Sequence, residues 1–183
     1  WTPAQLAGSP RDRTIQRGLK PDTTPPPAWA ISAAANALPP LAPGLRGSIR
    51  GVEPRDPQAR LVALTFDLCE LASERSGYDA ELVNGLREFG VKATFFAGGK
   101  WLRTHPEQAM QLMADPNFEI GNHAWTHANL RLVLGPEARD QMLWTQAQYQ
   151  VLRRELAGRS CTREAGPGAL SHIPEWPSVF RFP

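Results

Sequence analysis

Two short stretches hold side chains whose types and spacing suit hydrolytic chemistry. In NHAWTH, His123 and His127 stand at i and i+4, a spacing that on a helical turn sets two imidazoles on one face, within reach of one metal ion. The same pair also reads as surface or capping histidines, because a catalytic metal asks for three protein ligands and a structural one for four. In TFDLCE, Asp67 follows an apolar run, where an ionised carboxylate is costly without a cation. A metal would supply one, and so would Arg181 in the FRFP stretch. Read alone, Asp67 is also a plain cap on the following turn.

The elements that would position these groups follow from periodicity. LVALTF is a short apolar run of buried-strand type, KATFFAGG supplies a second strand, FEIGNH a third and SVFRFP a fourth. Between them, YDAELVNGLREFG sets Tyr78, Leu82, Leu86 and Phe89 on one helical face before Gly90 stops it. THPEQAMQLMA places Thr104 and Glu107 at capping-box spacing with Pro106 in the first turn. GPEARDQMLWTQAQYQVLRRELAG repeats Ala138, Met142, Thr145, Tyr149, Leu152 and Leu156 at three-to-four spacing, ending at Gly158. Regular strand-helix alternation implies an α/β fold with parallel strands, as an open doubly wound sheet or a barrel. In either, Asp67, His123 and Arg181 fall at strand C-terminal ends, where catalytic groups collect.

The 183 residues suffice for one domain with a core, and 42% hydrophobic with 21% charged residues is ordinary for a globular chain. A net charge of +2, with no Lys/Arg cluster interleaved with aromatics, argues against nucleic acid as a partner. No apolar run reaches the length of a transmembrane segment. Opening at Trp1, the chain reads as processed or partial, with any targeting signal out of view; AWAISAAANAL (28–38) lacks a basic leader and reads as a short surface helix. Eleven of the eighteen prolines fall in the first sixty residues, so 1–58 reads as a Pro-rich N-terminal arm or linker, which Trp29, Leu38 and Leu41 could pin to a domain spanning 59–183. Cys69 and Cys161 allow one bridge in an oxidising compartment and two free thiols in a reducing one.

Taken together, LTFD, ATFF, EIGNHAWTH and FRFP occur in an order and spacing, over about 61–183, that resemble the polysaccharide deacetylase family, the NodB-homology carbohydrate esterases. The resemblance implies a distorted (β/α) barrel, with about the first four strands present here. It implies a metal-dependent hydrolase that removes acetyl groups from N-acetylated polysaccharides (chitin-like, peptidoglycan or exopolysaccharide), or less often O-acetyl groups from xylan. On that pattern Asp67 is the general base, Arg181 orients it, and His123 and His127 bind a divalent metal, usually zinc. The metal would polarise water and the acetyl carbonyl together, and a separate acid would protonate the leaving amine. A periplasmic or secreted location follows from the family's usual substrates.

The sequence departs from that pattern in two places. Leu68 occupies the position of the third metal ligand, the second Asp of TFDD, and leucine ligates nothing. Asp67, Glu70 or Cys69 would have to stand in, against plainer readings of Glu70 as a solvated charge and Cys69 as a buried or bonded sulfur. The family's later motifs, with the acid His, are expected beyond Pro183; His105 sits at a helix start and His172 in a Pro-rich loop. Trp125 reads as a sugar-stacking platform or a buried aromatic, and Asn122 and Asn129 as partners of the imidazoles or as caps. A second expectation therefore stands beside the enzyme: a non-catalytic carbohydrate-binding relative with an impaired metal site.

Overall fold

The computed structural model describes residues 1–183 except 38–42, 44–46, 49, 52 and 167. Leu38 and Leu41, expected to help pin the N-terminal arm, lie outside the described residues.

Three short strands, β1 (Leu64–Leu68), β2 (Ala93–Ala97) and β3 (Phe118–Asn122), form a parallel sheet in the order β1-β2-β3. Their C-terminal ends are level, since Leu68 pairs with Ala97 and Ala97 with Asn122. The expected fourth strand shortens to one parallel bridge between Asn122 and Phe180, with Asn122 N–H donating to Val179 O and Arg181 N–H to Asn122 O, both at 2.9 Å. Pro177 and Pro183 bracket this bridge and lack the N–H groups that a longer ladder would use. Arg181 nevertheless lies beside the C-terminal end of β3, in the fourth place across the sheet.

Helices α1 (Pro3–Ala7), α2 (Ala28–Ala37), α3 (Ala80–Glu88), α4 (Gly99–Thr104), α5 (Pro106–Ala114), α6 (Gly135–Gly158) and α7 (Ser160–Ala165) surround the sheet. Phe95 of β2, Trp101 and Leu102 of α4, Leu112 of α5 and Leu152 of α6 meet in the core. Burial of this apolar surface is the main force holding the layers together.

Two helices differ in detail from the periodic reading. Asp79 caps α3, its carboxylate accepting from Leu82 N–H at 3.0 Å. The helix then turns Ala80, Val83 and Leu86 inward, while Leu82 is 42% exposed and Phe89, at the C-cap, 80% exposed. The Thr104–Glu107 box does not form: His105 is the N-cap of α5 without a side-chain bond, and the Thr104 hydroxyl, ending α4, donates to Glu70 Oε2 at 2.8 Å. The long α6 has the expected bounds and buries Thr145, Tyr149, Leu152 and Leu156, whereas Met142 is half-exposed.

Residues before β1 contribute more than extended chain. Ala30 and Ala34 of α2 pack against Leu143 and Ala147 on a second face of α6, and the Arg154 guanidinium lies 4.9 Å over the half-exposed Trp29 ring. Farther upstream, Gln16 forms an antiparallel bridge with Arg75, while Leu19 and Asp22 N–H groups donate to Ser73 and Ala72 carbonyls. The segment 12–22 thereby lies along the 71–78 loop that follows β1. Gly77 fits this contact, because a Cβ there would stand 2.5 Å from the Arg13 carbonyl carbon.

Candidate functional site

Alternation along β1 sends Thr65 and Asp67 to one face and Phe66 and Leu68 to the other. Arg181 engages the first face, with Nη1 donating to Asp67 Oδ1 at 2.8 Å and Nη2 to Thr65 Oγ1 at 2.9 Å. The guanidinium lies 4.1 Å over the Phe96 ring, a stacking that fixes the plane of its fork. Phe66 and Leu68 pack against the apolar core. Leu68 is therefore a packing residue.

His123 follows β3 directly, and its N–H donates to Ala97 O at 3.1 Å. The His123 and His127 rings do come together, with centroids 4.9 Å apart, but not on the helical turn that the spacing suggests. Residues 123–127 form a loop in which Ala124 and His127 have φ of 64° and 54°, left-handed values that few non-glycine residues adopt. Hydrogen bonds from three elements hold this shape. Ala124 O and Trp125 O accept from Gly99 and Lys100 N–H at the start of α4, at 3.0 and 2.9 Å. Gln141 Oε1 of α6 accepts from Trp125 and Thr126 N–H at 3.0 and 2.9 Å. Asn122 Oδ1 accepts from Ala124 N–H, and its Nδ2 donates to Met142 O.

Asn122 thus braces the loop rather than an imidazole, and Asn129 accepts from Arg131 N–H. Trp125 is buried edge-on against Trp144 and beneath the Arg103 guanidinium, so it supports the loop instead of offering a face to a sugar. Gln141 belongs to no motif; its only mark in the sequence is a polar side chain on an inward-facing position of a long helix.

His123 is buried, and its Nδ1 lies 3.0 Å from Arg181 O. A carbonyl oxygen only accepts, so this contact assigns the proton to Nδ1 and leaves a lone pair on Nε2. That Nε2 is buried without a hydrogen-bond partner among the described residues. Burial pushes the His123 pKa below its ordinary value, opposed by the Arg181 carbonyl and by Asp67; the ring is thereby favoured as the neutral form that ligates metal. Cys69, His123 and His127 each offer a ligand atom, all within 4.8 Å of one another. These donor types fit a divalent transition metal, which would also satisfy the orphaned nitrogen. The half-buried Cys69 thiol is pushed up to about 11, chiefly by burial and then by Asp67 and Glu74. Neither Cys69 nor the exposed Cys161 is bonded to another cysteine.

Glu70 is fully buried, contrary to its reading as a solvated charge. Its Oε1 accepts from Lys100 Nζ at 2.8 Å, and its Oε2 from Ser76 N–H at 3.1 Å and Thr104 Oγ1 at 2.8 Å. Lys100 Nζ also donates to Glu74 O. With both oxygens engaged, Glu70 anchors the chain immediately after Cys69 to α4. His172 stands at the opposite end of the sheet, its Nε2 3.1 Å from Ala114 O, in a hollow lined by Ala93 and Phe118.

His105 lies against this cluster, its Nδ1 3.8 Å from Glu70 Oε2. Burial pushes its pKa below 6.5, with Glu70 opposing and Arg75 adding to the shift. The unfolded chain then takes up this proton near 6.5 and the folded chain only at lower pH, so the stability contribution is complete above 6.5 and fades as pH falls toward the folded value. Urea midpoints are expected to drop between about pH 7 and 5, and His105→Gln to flatten part of that slope, His123 contributing the same sign. An unchanged slope in the variant would place the acid sensitivity elsewhere.

Two open grooves flank the candidate groups. One, of about 430 Å³, is lined by Arg13, Ile15, Asp67, Cys69 and Tyr78 among others. The other, of about 730 Å³, has His127, Asn129, Arg131 and Phe182 among its walls.

The family model described as polysaccharide deacetylase matches residues 55–157. The peptidoglycan-N-acetylglucosamine deacetylase of Bacillus cereus is 36% identical over 101 residues, covering 53% of this chain and 32% of that protein. The peptidoglycan-N-acetylmuramic acid deacetylase PdaC of Bacillus subtilis is 31% identical over 91 residues, 50% of this chain and 18% of that protein. Among solved structures, a CE4 family pseudoenzyme from Bacillus anthracis aligns at a TM-score of 0.43 and 29% identity, covering 53% of this chain and 33% of that one. The aligned stretch spans about a third or less of each relative's own length.

Proposed function

Because this chain belongs to the polysaccharide deacetylase family, matching it over residues 55–157 of 183, we propose that it is a metal-dependent hydrolase that removes acetyl groups from an N-acetylated glycan by cleaving the amide C–N bond. The observation that carries this reading is the buried, unpartnered Nε2 of His123 beside His127, with the Asp67–Arg181 pair at the same end of the sheet.

In this reading His123 and His127 hold a divalent cation, most simply zinc, which when bound supplies Lewis acidity toward the acetyl carbonyl and water. Asp67 accepts the proton of the attacking water. Arg181 engages Oδ1 of that carboxylate, so Oδ2 is the oxygen turned to the proton. The Arg181 carbonyl fixes the His123 tautomer, so one residue orients the base through its side chain and a metal ligand through its backbone. The two peptidoglycan deacetylases named above support a peptidoglycan-like N-acetylamino-sugar polymer as substrate, and with it a periplasmic or secreted location. Among the described residues no helix is long and apolar enough to cross a membrane.

Acetate release from N-acetylglucosamine oligomers in the presence of zinc tests the proposal. The wild-type protein is expected to release acetate, and His123→Ala to lower the rate by more than about 100-fold, since even outer partners of metal ligands carry 10–100-fold. Leu68 in place of the family's carboxylate favours the second reading, a carbohydrate-binding relative without catalysis. Oligomer binding with no acetate from the zinc-loaded protein would select it.

A further inference from the structure

We infer that Cys69 is the third protein ligand of the metal, giving a Cys–His–His centre where the family pattern implies a carboxylate with two histidines. The inference rests on the metal-dependent reading above and concerns which residue completes that site.

Four observations meet on Cys69. Its ligand atom and those of His123 and His127 lie within 4.8 Å of one another. Two ligands of one tetrahedral zinc, at a Zn–S of about 2.3 Å and a Zn–N of about 2.0 Å, stand about 3.3–3.5 Å apart, so a contraction of at most about 1.5 Å closes the set. His123 Nε2 is a buried nitrogen with no hydrogen-bond partner among the described residues, an observation independent of the thiol. The rival donors stand elsewhere: Glu70 uses both oxygens within its cluster, and Asp67, its Oδ1 held by Arg181, is not among the ligand atoms that gather within 4.8 Å.

The fourth observation is the direction of Leu68. Its side chain packs into the core, while Cys69, just past the end of β1, lines the same groove as Asp67. A thiol at 69 would thus supply the donor one residue along the chain from Leu68. The Glu70–Lys100 pair fixes the backbone just after it. On binding, the thiol proton leaves to solvent and the thiolate donates to the cation. Three protein ligands leave a fourth position open, as a catalytic zinc site requires. A thiolate also tilts selectivity toward zinc and cobalt and away from magnesium and manganese.

Titration of the metal-free protein with cobalt(II), followed by absorbance, reads the ligand directly. A near-ultraviolet thiolate-to-cobalt charge-transfer band, saturating at one cobalt per chain, is expected in the wild type and in Cys161→Ser. Cys69→Ser should lose the band and bind cobalt more than about 100-fold more weakly, because a direct ligand carries more than the outer partners do. The wild-type spectrum needs no variant to fold. Cobalt bound without the band, or Cys69→Ser with undiminished affinity, overturns the assignment. Acetate release with bound metal and no band sinks the Cys69 ligand and leaves the deacetylase reading standing. A band with no acetate leaves the ligand standing and sinks the enzyme.

Discussion

Replacing Lys100 with methionine is expected to destabilise the protein by about 3–5 kcal/mol, the cost of leaving one member of a buried ion pair uncompensated. The side chains of Lys100 and Glu70 are 4% and 0% exposed, with Nζ and Oε1 2.8 Å apart. After the substitution Glu70 would keep its bonds from Ser76 N–H and Thr104 but lose the charged partner at bonding distance that the described residues give it. The double variant Lys100→Met with Glu70→Gln should recover most of the loss, because an amide can retain hydrogen bonds without a buried charge. Urea unfolding of the wild type, both singles and the double gives the cycle. A single-variant loss under about 1 kcal/mol, the range of exposed pairs, would sink the assignment.

The effect should also reach the candidate metal site. Lys100 touches both sides of it, through its side chain after Cys69 and through its backbone N–H to Trp125 O in the histidine loop.

The second large effect is on the chemistry. Asp67→Asn should lower kcat for acetate release by about 10²–10⁴-fold, the usual worth of a positioned general base, with bound metal retained. Asparagine is nearly isosteric and its Oδ1 can still accept from Arg181 Nη1, so the geometry survives while the proton acceptor does not. Metal content of the purified variant, measured beside kcat and KM, separates loss of the base from loss of the ligand set. Activity within about tenfold of wild type would assign proton transfer to another group.

The parts legible in the sequence are those whose cause is local. The three strand runs, the bounds of α6 and the approach of Arg181 to Asp67 follow from apolar periodicity and from the habit of parallel sheets to gather polar groups at one rim. The histidine pair was legible as a pair but not as a loop, because the left-handed turns at Ala124 and His127 are imposed by Gln141, Asn122 and the first turn of α4. No residue between the histidines announces them. Glu70 is the plainest case of non-local cause: a glutamate beside a strand end reads as solvated until a lysine thirty residues away is brought beneath it. Phe89 weighs heavily in any count of apolar spacing, yet its place at the end of α3 leaves it facing water.

The segment 12–22 ties upstream chain to the stretch that the family model matches. The family model matches from residue 55, but Gln16, Leu19 and Asp22 splint the loop that carries the chain away from Cys69 and Glu70, and Arg13 forms part of the groove over Asp67. The stretch that the family model matches is thus clasped by chain that lies upstream of the match. Substitutions in this upstream splint alone would reshape the groove while leaving Asp67, His123, His127 and Arg181 unchanged.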